Sequence, residues 1–196
     1  LEVLNAAGAT LVGGHTSEGA ELALGFSVNG LANRKDILRK GGMKPGDVLI
    51  LTKPLGTGTL FAADMQQKAK GRWIDAALDS MVLSNHDAAK CVYRHGAQAC
   101  TDITGFGLLG HMVEMIKGSG VDVEVDLNAL PIMDGAMETV RAGILSSLQP
   151  ANVRLRRAIR NIEEASKNER YPLMFDPQTS GGLRIKHQRI SLVLRG

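Results

Sequence analysis

The stretch Gln98-Ala99-Cys100-Thr101-Asp102-Ile103-Thr104-Gly105-Phe106-Gly107-Leu108-Leu109-Gly110-His111 sets a carboxylate at the end of a short apolar run, just before two glycines. Leu108, Leu109, Met112, Val113, Met115 and Ile116 then recur near helical spacing. A carboxylate at a strand end, beside a glycine turn and a helix start, suits Mg²⁺–phosphate chemistry. The helix start offers free N–H groups to phosphate. Mg²⁺ is commonly held by one or two carboxylates plus the substrate's own phosphates. A plainer alternative fits the same residues: a turn aspartate followed by a Thr104 helix cap.

A second candidate is Gly13-Gly14-His15-Thr16, between two apolar runs. Paired glycines let a ligand approach the backbone closely, because no Cβ stands in the way. Thr16 adds a hydroxyl. Here too a plain turn is an alternative, with His15 as an ordinary hydrogen-bonding residue. No G-x-x-x-x-G-K-[ST] string occurs, so the P-loop route to nucleotide binding is excluded.

The elements that must carry these residues read as a layered α/β (α+β) pattern. Residues 2–7 end a helix that Gly8 stops. Residues 10–12 and 21–31 read as strands; Leu22, Leu24, Phe26 and Val28 alternate with small or polar residues. Residues 33–46 read as a linker, closed by a turn at Lys44-Pro45-Gly46-Asp47. An apolar strand over 47–52 runs into a glycine loop and a helix over 59–67, in the α/β manner. Two helices follow over 73–83 and 87–95, the first burying Trp73, Ala76, Ala77 and Met81, the second capped by Asn85. Residues 121–127 alternate Val and Leu with Asp122, Glu124 and Asp126, a half-exposed strand with a solvated acidic face. Helices are expected over 134–142 and 152–166, the latter with an Arg160–Glu164 pair. Residues 173–175 read as a strand entering the turn Asp176-Pro177-Gln178-Thr179-Ser180-Gly181-Gly182.

Composition narrows the classes. The 196 residues are 44% hydrophobic but only 4% aromatic, so aliphatics and the 8 methionines must fill the core. A net charge of +3 is compatible with an anionic ligand without identifying it. Arg154, Arg156, Arg157 and Arg160 lack interleaved aromatics and any nucleic-acid motif, so no nucleic-acid partner is expected. Cys91 and Cys100 lack metal-ligand spacing and read as small buried hydrophobes of a reducing compartment. No run reaches the ~18 apolar residues of a membrane span, and no signal peptide is visible, so a cytoplasmic location without membrane contact is the expectation.

Five segments in order carry a resemblance. They are Leu11-Val12-Gly13-Gly14-His15-Thr16-Ser17-Glu18, Lys44-Pro45-Gly46-Asp47, Lys53-Pro54-Leu55-Gly56-Thr57-Gly58, Thr101 through His111, and Asp176-Pro177-Gln178-Thr179-Ser180-Gly181-Gly182-Leu183. Together they resemble the selenophosphate synthetase (selenide, water dikinase) family, within the aminoimidazole ribonucleotide synthetase-like superfamily. The resemblance implies a homodimeric, two-domain enzyme making selenophosphate from selenide, ATP and water, with release of AMP and phosphate, for selenocysteine and selenouridine synthesis. It implies several Mg²⁺ ions and a helping K⁺. Residues 1–34 would be the end of the N-terminal ATP-binding, β-barrel-forming domain, and 35–196 the C-terminal α/β domain. Asp102 matches a Mg²⁺ ligand, and Gly13, Gly14, His15 and Thr16 match a nucleotide-contacting segment that can act across the dimer interface.

The chain also departs from that pattern. The family's reactive Cys or selenocysteine, its essential lysine and its other Mg²⁺-binding aspartates belong to a segment absent from this sequence, and Cys91 and Cys100 do not match the nucleophile. No catalytic residue is therefore assigned here, and the chain alone is expected to be inactive. The tail 184–196 diverges from the family. Two other readings accompany the first: another ATP-dependent, aminoimidazole ribonucleotide synthetase-like enzyme, and a non-catalytic interaction module.

Overall fold

The computed structural model describes residues 1–186, with side chains through Leu183; most of the divergent tail, 187–196, lies outside the described residues. The chain divides into two compact units, Leu1–Asp36 and the part from Ile37 onward.

In the first unit, helix α1 (Glu2–Ala6) ends at Gly8, whose φ of 67° is the left-handed turn that glycine permits. The strands expected over 10–12 and 21–31 do not form. Leu22, Leu24, Phe26 and Val28 are 101%, 83%, 65% and 87% exposed. A strand is stable only against a partner and a covering layer. This unit supplies neither, so the alternating pattern is written in the sequence but unpaired here.

The second unit is a mixed helix and sheet structure. Strands β1 (Leu49–Leu51) and β2 (Cys100–Asp102) both pair antiparallel with β3 (Leu183–Lys186), in the order β1-β3-β2. Ile50 lies opposite Ile185, and Asp102 opposite Leu183. All of the central strand but Leu183 thus comes from the start of the stretch read as divergent. The described sheet is antiparallel.

Helices α2 (Thr57–Met65), α3 (Gly71–Val82) and α4 (His86–Arg94) lie within two residues of expectation, and α5 (Gly107–Ser119) contains the periodic run 108–116. The main core gathers Leu108, Leu109, Met112, Met115 and Ile116 of α5 with Ile103, Val125 and Phe175. A second cluster joins Leu60, Trp73, Ala77, Ala136 and Leu173. Methionines do fill the interior: Met43, Met112, Met115 and Met174 are buried. Ala76 is exposed and Met81 half-buried, so the buried face of α3 is narrower than the pattern implied.

The later elements are shorter than their patterns. Helix α6 is Ala136–Arg141. The helix expected over 152–166 breaks into α7 (Gln149–Val153), a 3₁₀ turn at Arg154–Ala158, and α8 (Ile162–Ala165). Ile159, between them, is extended and buried in the core, which a continuous helix would not allow. Arg160 consequently pairs with Asp122, not Glu164. Residues 121–127 keep their alternation, with Val123, Val125 and Leu127 buried, but hold a single bridge position, not a ladder. Of the apolar triplet 173–175, Leu173 and Met174 belong to a 3₁₀ turn, Tyr171–Met174, and Phe175 closes it; Pro172 fixes a turn φ at its start.

From Ile37 onward, the segment read as a linker is fastened down within this unit. A Cβ on Gly41 would stand 2.2 Å from the carbonyl oxygen of Gly118, so the two backbones meet because both residues are glycine. The Gly42 and Met43 N–H groups donate to Ser119 Oγ, each at 3.1 Å. The expected turn at Lys44–Asp47 is present, closed by Asp47 N–H to the Lys44 carbonyl at 3.0 Å. Cys91 is exposed rather than buried, Cys100 is half-buried, and both thiols are free. Among the described residues no helix is long and apolar enough to cross a membrane.

Candidate functional site

Asp102 closes β2, and its side chain is exposed, with no hydrogen-bond partner among the described residues. Directly after it the chain is pinned from behind. Ile103 N–H donates to the Gly182 carbonyl at 3.1 Å, and Gln178 N–H donates to the Thr104 carbonyl at 3.1 Å. Asn152, buried on α7, donates through Nδ2 to the Gly105 carbonyl at 2.8 Å and the Phe175 carbonyl at 3.0 Å. Gly107 has φ 69°, and a Cβ there would lie 2.9 Å from the Phe175 carbonyl carbon. Only glycine permits both the turn and that approach. Thr104 is not the helix cap: α5 begins after Phe106, and Thr104 instead bonds His111. The N–H groups of exposed Gly105 and Phe106 have no acceptor among the described residues. The loop therefore presents one open carboxylate and open backbone donors from a braced support.

The Asp176–Gly182 turn does something the sequence did not disclose: it caps α2. Gln178 Oε1 accepts from the N–H groups of Gly56 at 3.1 Å and Thr57 at 3.3 Å. Asp176 Oδ2 accepts from Gly58 N–H at 3.0 Å and from Gln178 Nε2 at 2.8 Å. The amides of the Gly56-Thr57-Gly58 loop are thus taken by protein acceptors and are closed to phosphate. Asp176 is fully buried, its Oδ1 has no partner, and burial raises its pKa to about 7. Asn85 stands at the N-cap position of α4 as expected, but its side chain makes no capping bond; its Nδ2 donates to the Gly181 carbonyl at 2.9 Å and steadies the same turn.

Lys53 is buried at 5% exposure, and burial lowers its pKa. Its Nζ donates to the carbonyls of Ser80 at 2.8 Å, Leu83 at 2.6 Å and Ser180 at 2.9 Å. All three donors are used, at the C-terminal end of α3, where a cation is favoured. Lys53 is therefore a structural fastener and has no donor left for a substrate. Lys53→Met should destabilise the chain by about 3 kcal/mol, from carbonyls left unpaired. That is a fall of about 10 °C in Tm, read by thermal unfolding followed through the single tryptophan, Trp73. A Tm within about 2 °C of wild type, an effect under 1 kcal/mol by the same conversion, would contradict the assignment.

Gly13, Gly14, His15 and Thr16 belong to the first unit, in exposed, non-repetitive chain. A Cβ on either glycine would meet nothing within 4 Å. Asp102 belongs to the second unit. Within that unit, an open groove of about 410 Å³ lies between the Lys44–Asp47 turn and residues 121–124. Asp122 and Glu124 on its rim make it unsuited to a polyphosphate. No group of three or more His, Cys, Asp or Glu converges among the described residues, so Asp102 stands apart from other carboxylates.

Residues 44–160 match the family model "AIR synthase related protein, C-terminal domain", and the chain belongs to that family. It is similar to the selenide, water dikinase of Geobacter metallireducens, 43% identical over 185 residues, covering 94% of this chain and 54% of that protein. It is likewise 43% identical over 190 residues to the selenide, water dikinase of Trichlorobacter lovleyi, covering 95% of this chain and 54% of that protein. The chain spans about half the length of the curated relatives it matches. A solved thiamine-monophosphate kinase from Stenotrophomonas maltophilia K279a is similar at a TM-score of 0.47 and 16% identity, covering 84% of this chain and 52% of that one.

Proposed function

We propose that this chain supplies part of a selenide, water dikinase, and that Asp102 is its Mg²⁺ ligand toward the phosphates of ATP. The observation that carries the reading is the exposed, unbonded Asp102 carboxylate on a loop braced from behind. A hard cation that keeps most of its ligands on water and phosphate needs only one such carboxylate from a given segment. When bound, Mg²⁺ would offset phosphate charge. The chain's own part is to hold Asp102 fixed and to aim the Gly105 and Phe106 N–H groups at phosphate oxygens. Preorganised donors of this kind dominate phosphoryl transfer. Gly13 to Thr16 are the proposed nucleotide-contacting segment, in a homodimeric cytoplasmic enzyme that K⁺ assists. The names of the relatives favour this over an aminoimidazole ribonucleotide synthetase-like reading.

The reaction converts ATP, selenide and water to selenophosphate, AMP and phosphate. The purified 196-residue chain should form no selenophosphate by phosphorus NMR, whereas the longer enzyme carrying it should do so with selenide-dependent AMP release. Selenophosphate from the short chain, or none from the long one, would contradict the proposal.

A further inference from the structure

Resting on the reading of Asp102 as a cation ligand, we infer that His111 is the positioning residue that holds the Asp102 loop in its binding form. His111 lies in the early part of α5, the residue 4% exposed and its ring tilted 56° to the Phe106 ring at 5.9 Å between centroids. Its Nε2 accepts the Thr104 N–H at 3.1 Å and stands 3.2 Å from Thr104 Oγ1. A backbone N–H only donates, so Nε2 carries no proton and the ring proton sits on Nδ1. Nδ1 faces Glu114 Oε2 at 3.3 Å, out of line for a good hydrogen bond. Lys40 Nζ bonds the same oxygen at 2.7 Å.

The order Lys40, Glu114, His111, Thr104 therefore runs from the fastened 37–46 segment to a residue two positions from Asp102. The loop holds Gly105 and Gly107 and has little stiffness of its own. His111 fixes one side of it, as Asn152 fixes the other through the Gly105 carbonyl. A ring present only to fill space would not need an acceptor aimed at a backbone N–H. Groups that orient a metal ligand through such bonds commonly govern metal affinity.

The test uses Fe²⁺ with ascorbate as a cleaving stand-in for Mg²⁺ on the full 196-residue chain, with cut sites read by mass spectrometry. Wild type should be cut within residues 102–107, with the cut suppressed by Mg²⁺ and absent in Asp102→Asn. His111→Gln keeps an acceptor near the Nε2 position and should retain the cut; His111→Asn withdraws the acceptor and should reduce it about ten-fold. Cutting of His111→Asn at the wild-type level, with Asp102→Asn uncut, would overturn the inference while leaving the cation reading intact. No cut at 102–107 in wild type would overturn the cation reading, and this inference with it. Hydrogen exchange of the wild-type Thr104 amide needs no variant: slow exchange supports the clamp, and exchange at the free rate overturns it.

Discussion

The folded chain should lose stability as the pH rises from about 4 to about 7, because of Asp176. Its carboxyl is fully buried. Oδ2 accepts from Gly58 N–H and Gln178 Nε2, but Oδ1 has no partner. Burial disfavours the charged form, and the two donors to Oδ2 only partly offset it. The result is a pKa raised from 3.8 to about 7. Between those values the folded chain binds a proton that the unfolded chain has released, so stability falls with rising pH. It is fully present below about 4 and lost as pH passes about 7. The size expected from that separation is about 4 kcal/mol. Urea unfolding at pH steps from 4 to 8, followed by Trp73 fluorescence, measures it. Asp176→Asn cannot ionise and should flatten the curve across this window. Glu114 acts in the opposite sense and at lower pH, since the bond from Lys40 Nζ holds its carboxyl below the usual range. A wild-type curve that is flat or rising from 4 to 7, or an unchanged slope in Asp176→Asn, would contradict the account.

The sequence made local elements legible and long-range ones less so. Helices α2 to α5 could be read because apolar spacing, glycine stops and loop residues all lie within a dozen positions. Asp102 could be placed at a strand end for the same reason. The central strand β3 could not, because Leu183 and the first three residues of a divergent tail become a strand only against β1 and β2. The 152–166 helix failed where Ile159 had to reach the core and Arg160 had to reach Asp122. The residues 21–31 fail the other way. Their alternation is clear, yet no partner strand is present in their unit, and pattern without pairing makes no sheet. Around the candidate site, the bracing residues left little trace. Asn152 carries no local signal, and its two acceptors lie 47 and 23 positions away. Gln178 and Asp176 read as turn residues, and only the fold shows them closing the start of α2. His111 ends the Thr101–His111 segment, but its contact with Thr104 depends on the turn that Gly107 makes.

Asn in place of Asp102 keeps the size and turn preference of Asp but removes the charge that a hard cation needs. The side chain is exposed and makes no hydrogen bond among the described residues, so its loss should leave the fold intact. This separates a ligand from a turn former: a ligand costs activity without stability, and a turn former costs neither when Asn replaces it. The decisive measurement is selenide-dependent AMP formation by the full-length enzyme carrying Asp102→Asn, across a Mg²⁺ titration, with Tm recorded on the same preparation. The predicted result is a fall of about 100-fold in kcat and kcat/KM together, with Tm within about 2 °C of wild type. Wild-type activity at limiting Mg²⁺ would contradict the assignment of Asp102 and the site built on it.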